Sequence, residues 1–119
     1  IITIHIHLND DNRGFISSEL FKKMKNGVVL INTSRGAIID ENSLLENLKS
    51  GHVSAAGLDV INGEWDKNLY DHPLISYARE HDNLVISPHI AGATVESIIG
   101  ARVFVAKKLA NYIKNRQGV

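Results

Sequence analysis

Val28-Val29-Leu30-Ile31-Asn32-Thr33-Ser34-Arg35-Gly36 is the stretch that decides the fold. Its first four residues form a continuous apolar run, which suits a parallel strand buried on both faces better than an alternating, one-sided one. The run ends at a charge. Two further segments repeat the arrangement: residues 53–58 lead into Asp59-Val60, and residues 84–87 lead into Pro88-His89-Ile90-Ala91-Gly92. Glu64 follows Gly63 shortly after the second run. In open α/β sheets ligands bind in the crevice beyond the carboxyl ends of the strands. Arg35, Asp59, Glu64 and His89 are therefore candidate site residues.

Helical patterns separate these runs. Residues 1–6 read as a short strand and residues 9–14 as a polar loop. Ser17 and Ser18 offer N-caps to a helix over 19–25, with Leu20, Phe21 and Met24 on one face and Gly27 closing it. Asp40 is the expected N-cap of the next helix, in which Leu44, Leu45 and Leu48 line one side before Gly51 stops it. Residues 61–82 read as a long loop with a short helix near 75–79, and residues 83–87 as the last strand. A long helix follows over 94–115, opened by Thr94 or Ala93, with Ile98, Ile99, Val103, Leu109 and Ile113 at helical spacing. Residues 115–119 read as a frayed tail. Strands alternating with helices imply parallel pairing through right-handed crossovers, and hence the α/β class.

The 119 residues suit one small domain and are short for a two-domain enzyme. The chain starts without methionine, inside an apolar strand, so a longer protein with upstream partner strands is expected. With 13 basic and 13 acidic residues the net charge is zero, which gives no electrostatic footprint for nucleic acid or an anionic membrane. No stretch is apolar enough for a membrane span and no signal-peptide pattern opens the chain, so a cytoplasmic protein with a small-molecule partner is expected. The absence of cysteine excludes disulfides and thiolate chemistry.

Each candidate has a plainer reading. Arg35 can be a surface arginine at a turn, but a planar fork of donors at a strand end suits a carboxylate or a polarised carbonyl. Asp59 can cap a turn or accept a hydrogen bond from a ligand amide. His89 is the best placed of the six histidines for acid/base work. His52, His72 and His81 read as solvated surface residues, and His5 and His7 as strand residues satisfied by nearby backbone. Glu64 gains interest from pairing, since a carboxylate bonded to an imidazole fixes its tautomer and favours its protonated form. A metal site is disfavoured, because no His-x-x-x-His and no tight Asp/His cluster occurs. Ser34 lacks the Gly-x-Ser-x-Gly elbow of a Ser–His–Asp hydrolase.

Asn32-Thr33-Ser34-Arg35-Gly36, Gly57-Leu58-Asp59-Val60 with Gly63-Glu64, and Ser87-Pro88-His89-Ile90-Ala91-Gly92 together resemble the D-isomer-specific 2-hydroxyacid dehydrogenases. His5-Ile6-His7-Leu8, Asn12-Arg13-Gly14 and Asp40-Glu41 extend the resemblance over essentially the whole chain. It implies the C-terminal half of a Rossmann-like NAD-binding domain over residues 1–119, a parallel sheet with flanking helices, whose helix 94–115 packs on a substrate domain. It also implies reversible oxidation of a D-2-hydroxy acid to a 2-oxo acid, with NAD as cofactor and NADP left open, and a homodimer in the full-length protein. Arg35 would bind the substrate and His89 would be the general acid and base, with Glu64 tuning it. Asp59 would hold the nicotinamide amide, while Ile6, His7, Asn12, Thr33, Ser34, Arg35, His89 and Gly92 would touch the cofactor.

The departures from the family pattern are specific. His7 and Trp65 stand where many members have proline, and no Gly-x-Gly-x-x-Gly for a cofactor diphosphate is present. The isolated chain is therefore expected to be inactive. A non-catalytic, nucleotide-sensing scaffold on the same fold is the alternative reading.

Overall fold

Four short strands pair in parallel, in the order in which they occur. They are β1 (Ile2–Ile4), β2 (Val28–Asn32), β3 (Val53–Leu58) and β4 (Leu84–Ile86), each hydrogen-bonded to the next among the described residues. The computed structural model describes residues 1–117. Its helices are α1 (Ser18–Lys23), α2 (Glu41–Ser50), α3 (Pro73–Glu80) and α4 (Val95–Gln117). Parallel neighbours need a crossover, and α1, α2 and α3 provide one after each of the first three strands. Two compact units result, Ile1–His89 and a second that begins at Ile90.

The register explains which residues make the core. Ile2 pairs with Leu30, Leu30 with Ala56, and Ala56 with Leu84, so these side chains share one face of the sheet. On that face Leu30, Ala56 and Leu84 are buried, together with Phe21 of α1, Leu44 and Leu48 of α2, and Leu74 and Tyr77 of α3. On the opposite face Val29 and Ile31 are half-buried, and Val85 is exposed. The apolar run at 28–31 is thus less symmetrically covered than its composition suggests, because the core cluster of the first unit lies on one side of its sheet.

Helix boundaries follow local chemistry. Asp40 caps α2, accepting from the Ser43 N–H at 3.2 Å and the Ser43 hydroxyl at 2.8 Å, and Gly51 ends it at φ 77°. Pro73 begins α3, where a missing N–H costs nothing, and extends the short helix anticipated at 75–79 to eight residues. Thr94 opens α4 by accepting from the Ser97 N–H at 3.1 Å. Two expectations need correction. Gly27 does not close α1, which stops at Lys23 with Met24 as its cap; the glycine's φ of 78° serves the turn into β2. The expected tail at 115–119 is helical through Gln117, with residues 118–119 outside the described part.

The second unit is carried by α4. It presents Ile98, Ile99, Val103, Leu109 and Ile113 at the spacing read from the sequence, with Glu96 in its first turn and Lys114 and Arg116 in its last. Those charges complement the helix dipole. Among the described residues no helix is long and apolar enough to cross a membrane.

Candidate active site

The C-terminal ends of β3 and β4 bring together the strongest of the predicted groups. His89 Nδ1 lies 2.6 Å from Glu64 Oε1, with the Glu64 side chain less exposed than that of His89, 18% against 35%. An ionised carboxylate accepts, so Nδ1 carries hydrogen and Nε2 is the nitrogen left to exchange a proton with a reactant. Backbone geometry sets this pair in place. The His89 N–H donates to Asp59 O at 2.9 Å, tying the end of β4 to the end of β3. His89 itself sits at φ 55°, the one non-glycine residue with positive φ among those described. Such conformations persist where the surroundings over-determine them, often at functional sites.

Asp59 is buried at the end of β3, 4% exposed, and accepts the Ser87 hydroxyl at 2.5 Å. Glu64 reaches its position through the turn at Gly63, whose φ is 70°, and its second oxygen lies 3.4 Å from the Ile61 N–H. Trp65 follows with its ring centroid 6.2 Å from that of His89, the planes tilted by 37°. A cleft of about 240 Å³ runs among Asp59, Glu64, Trp65, Ser87, Pro88 and His89, floored by aliphatic side chains.

The ends of β1 and β2 form a second cluster. The Ser34 hydroxyl donates to Ile6 O, and the Asn12 amide donates to His7 O at 2.7 Å. Asn12 and Asn9 also cap each other's backbone N–H groups across the 3-10 turn Asp10–Asn12. Ile6, His7, Asn12 and Ser34 are therefore neighbours, while Thr33 is exposed beside them. Arg35 is not in contact with Glu64 or His89. Its guanidinium is exposed and folds back, Nη1 donating to Ser34 O at 2.7 Å, so the direct convergence on His89 suggested by its place at a strand end is not formed. Gly92 belongs to the second unit.

Several organising residues escaped the sequence reading. Asn32 is fully buried and holds the Arg35 turn from below: its side-chain oxygen accepts from the Ser34 N–H and its amide donates to Arg35 O, both at 3.0 Å. A polar residue closing an apolar strand was its signal. Ser87 and the Trp65–His89 contact had no comparable mark. Of the three histidines read as solvated surface residues, His81 is exposed as expected, whereas His52 and His72 are half-buried and are corrected. His52 bonds Phe21 O at 2.8 Å, and His81 stacks on Tyr77 with centroids 3.9 Å apart. His72 caps α3 by accepting from the Leu74 N–H and reaches Glu41 at 3.3 Å with its other nitrogen. Glu41 in turn accepts from the Asn62 N–H at 2.7 Å. Burial raises the Glu41 carboxyl above its ordinary value of 4.5, against the opposing effects of the Asn62 N–H and His72.

The two strand-end clusters are joined by backbone. Gly36 follows Arg35, and a Cβ built on it would meet the Ile61 carbonyl carbon at 2.1 Å. Only glycine lets the Arg35 turn lie against the segment that leads to Glu64. Among the described residues no group of three or more His, Cys, Asp or Glu side chains could hold a metal ion. The donor set does fit the nicotinamide end of a dinucleotide. A buried carboxylate at a strand end offers an acceptor for a carboxamide, and the bends after β1 and β2 bring backbone and small side chains to the same rim.

Parallel strands with a carboxylate–imidazole pair at their carboxyl ends define a Rossmann-like, nucleotide-binding α/β domain. The chain belongs to the D-isomer specific 2-hydroxyacid dehydrogenase family, whose NAD binding domain model matches residues 1–91. It is 38% identical over 114 residues to a D-3-phosphoglycerate dehydrogenase of Archaeoglobus fulgidus, covering 96% of this chain and 20% of that protein. Among solved structures it resembles D-2-hydroxyisocaproate dehydrogenase with a TM-score of 0.85 and 29% identity, over 95% of this chain and 36% of the other. A D-lactate dehydrogenase of Aquifex aeolicus, complexed with NAD and lactic acid, superposes with a TM-score of 0.75 at 30% identity, over 95% and 37%. The chain thus spans about a fifth to two fifths of the length of these relatives.

Proposed function

We propose that this chain supplies the acid/base wall of an NAD-dependent dehydrogenase that interconverts a D-2-hydroxy acid and a 2-oxo acid. The observation that carries the reading is the 2.6 Å His89–Glu64 bond at the strand ends of an NAD-binding domain. A bound nicotinamide would supply or accept the hydride. His89 Nε2 gives a proton to the carbonyl oxygen in the reducing direction and takes it from the hydroxyl in the other. Glu64 keeps Nδ1–H in place and balances the imidazolium charge. Asp59, oriented by Ser87, accepts from the cofactor amide. Arg35 holds the substrate carboxylate, which requires its guanidinium to leave the Ser34 carbonyl and turn toward the cleft. Positive charge on His89 and Arg35 then faces the oxygen on which negative charge develops.

Residues 1–119 contain no Gly-x-Gly-x-x-Gly, so in this reading the cofactor diphosphate is held elsewhere in the protein. The test is His89→Gln in the full-length protein, assayed with NADH and NADPH against a set of 2-oxo acids. Loss of about 10²–10⁴-fold in kcat is expected. Turnover that persists would remove His89 as the acid/base and favour a non-catalytic, nucleotide-sensing role.

A further inference from the structure

The loop that carries Glu64 has few apolar contacts to hold it. Ile61 and Leu74 are buried, but no residue between them is, and Leu69 is only partly buried against the core. Residues 65–68 are exposed in succession. A segment of this kind belongs to the low-stability end of a fold unless polar links fix it. Yet Glu64 has to keep its carboxylate on His89 Nδ1, at 2.6 Å.

Two such links are present, and both end on one side chain outside the cleft. One Glu41 oxygen accepts from the Asn62 N–H at 2.7 Å, two residues before Glu64. The other faces His72 Nε2 at 3.3 Å, where the loop runs into α3. The cap of α3 decides the tautomer: His72 Nδ1 accepts from the Leu74 N–H at 3.2 Å, so in the neutral ring Nε2 carries the hydrogen and presents it to the carboxylate. Both side chains are only 16% exposed, so their contact forms largely out of water, where losing one partner costs more than at the surface. Glu41 is itself fixed, as the first residue of a helix capped by Asp40 and packed into the core through Leu44 and Leu48. Neither Glu41 nor His72 lines the cleft of the acid/base pair.

We propose that Glu41 and His72 are positioning residues for that pair: together they clamp both ends of the loop, and the clamp keeps the Glu64 carboxylate on the His89 ring. This rests on the reading of His89 and Glu64 as the acid/base pair. The test measures kcat and KM in the full-length protein for Glu41→Ala, Glu41→Gln, His72→Asn and Glu64→Gln, and for Glu41→Ala and His72→Asn each combined with Glu64→Gln. The substrates are NADH or NADPH with glyoxylate, hydroxypyruvate, pyruvate or 3-phosphohydroxypyruvate, whichever acid wild type reduces fastest. Glu41→Ala should lose about ten- to a hundredfold, chiefly in kcat. Glu41→Gln keeps an acceptor for Asn62 but sets amide hydrogens against the His72 hydrogen, and His72→Asn keeps a cap for α3 but drops the link to Glu41, so each should lose less. In the Glu64→Gln background Glu41→Ala should cost less than about twofold, because the group it positions is gone. A loss by the same factor in both backgrounds would mark general structural damage and overturn the assignment. Wild-type turnover in Glu41→Ala and His72→Asn, with Glu64→Gln impaired, would sink the clamp alone. If Glu41→Ala does not fold, His72→Asn with and without Glu64→Gln decides by the same comparison. Undiminished turnover in Glu64→Gln, or no reduction of any of the four acids by wild type, removes the acid/base reading and this inference with it.

Discussion

His89 carries two constraints at once, one chemical and one conformational. Its ring must meet Glu64, and its backbone must hold φ at 55°. Asparagine tolerates the left-handed region, whereas a β-branched residue does not. His89→Asn should therefore unfold near the wild-type urea midpoint while abolishing turnover. His89→Val should lose about 1–2 kcal/mol of stability as well. Equal stability of the two variants would show that the backbone strain is relieved by other means. Asn32 poses the complementary case of a residue with no chemistry of its own. Asn32→Ala leaves the Ser34 N–H and the Arg35 carbonyl without their buried partner, at a cost of roughly 1–3 kcal/mol in urea unfolding, with a rise in KM for the 2-oxo acid as Arg35 loses its footing. The histidine and glutamate were legible because their residue types and strand-end positions narrowed their chemistry. The pose of Arg35 was not, since a long flexible side chain is placed by its neighbours rather than by its position in the sequence.

At the scale of elements, α2 does more than cover the sheet. Its first residue, Glu41, joins the Asn62 backbone to the His72 ring, so the helix start anchors both ends of the loop that carries Glu64 and Trp65. Burial makes the folded protein hold the Glu41 proton more tightly than the unfolded chain does. Stability therefore falls as pH rises from about the ordinary carboxyl value of 4.5 through the higher folded value, and is unaffected by this group below that interval. Glu41→Gln lacks this loss. Its Tm relative to wild type should climb across the same interval in a pH series of thermal melts, and a flat difference would exclude Glu41 as the titrating group. The caps of α2 and the period of its leucines were readable in advance because they are local. The Glu41–His72 link was hidden, because it joins residues 31 positions apart through a loop with no periodic pattern.

For the molecule as a whole, the α/β class and the parallel pairing followed from the alternation of apolar runs and helical patterns, which leaves few topologies open. How each face of the sheet is covered did not follow, since Val29 and Leu30 look alike in sequence yet differ in burial. The domain also predicts a linkage between cofactor and stability. In the full-length protein NAD at 100 times its Kd should add about 2.7 kcal/mol to unfolding. If Asp59→Ala weakens binding tenfold, the same concentration adds only about 1.4 kcal/mol. An unchanged increment in that variant would mean that Asp59 does not reach the cofactor.

The contact of Gly36 with Ile61 has a last consequence, for where this chain can be lengthened. Because the Arg35 turn and the strand of backbone before Glu64 share one seam, an insertion between residues 36 and 61 would have to be absorbed without moving either edge of it. Lys67 and Asn68, exposed and past the Asp66 N–H to Gly63 O bond that closes the Glu64 turn, carry no such restriction. A tag or a reporter peptide spliced there should leave the His89–Glu64 spacing intact, whereas one placed beside Asn62 should pull the two halves of the rim out of alignment.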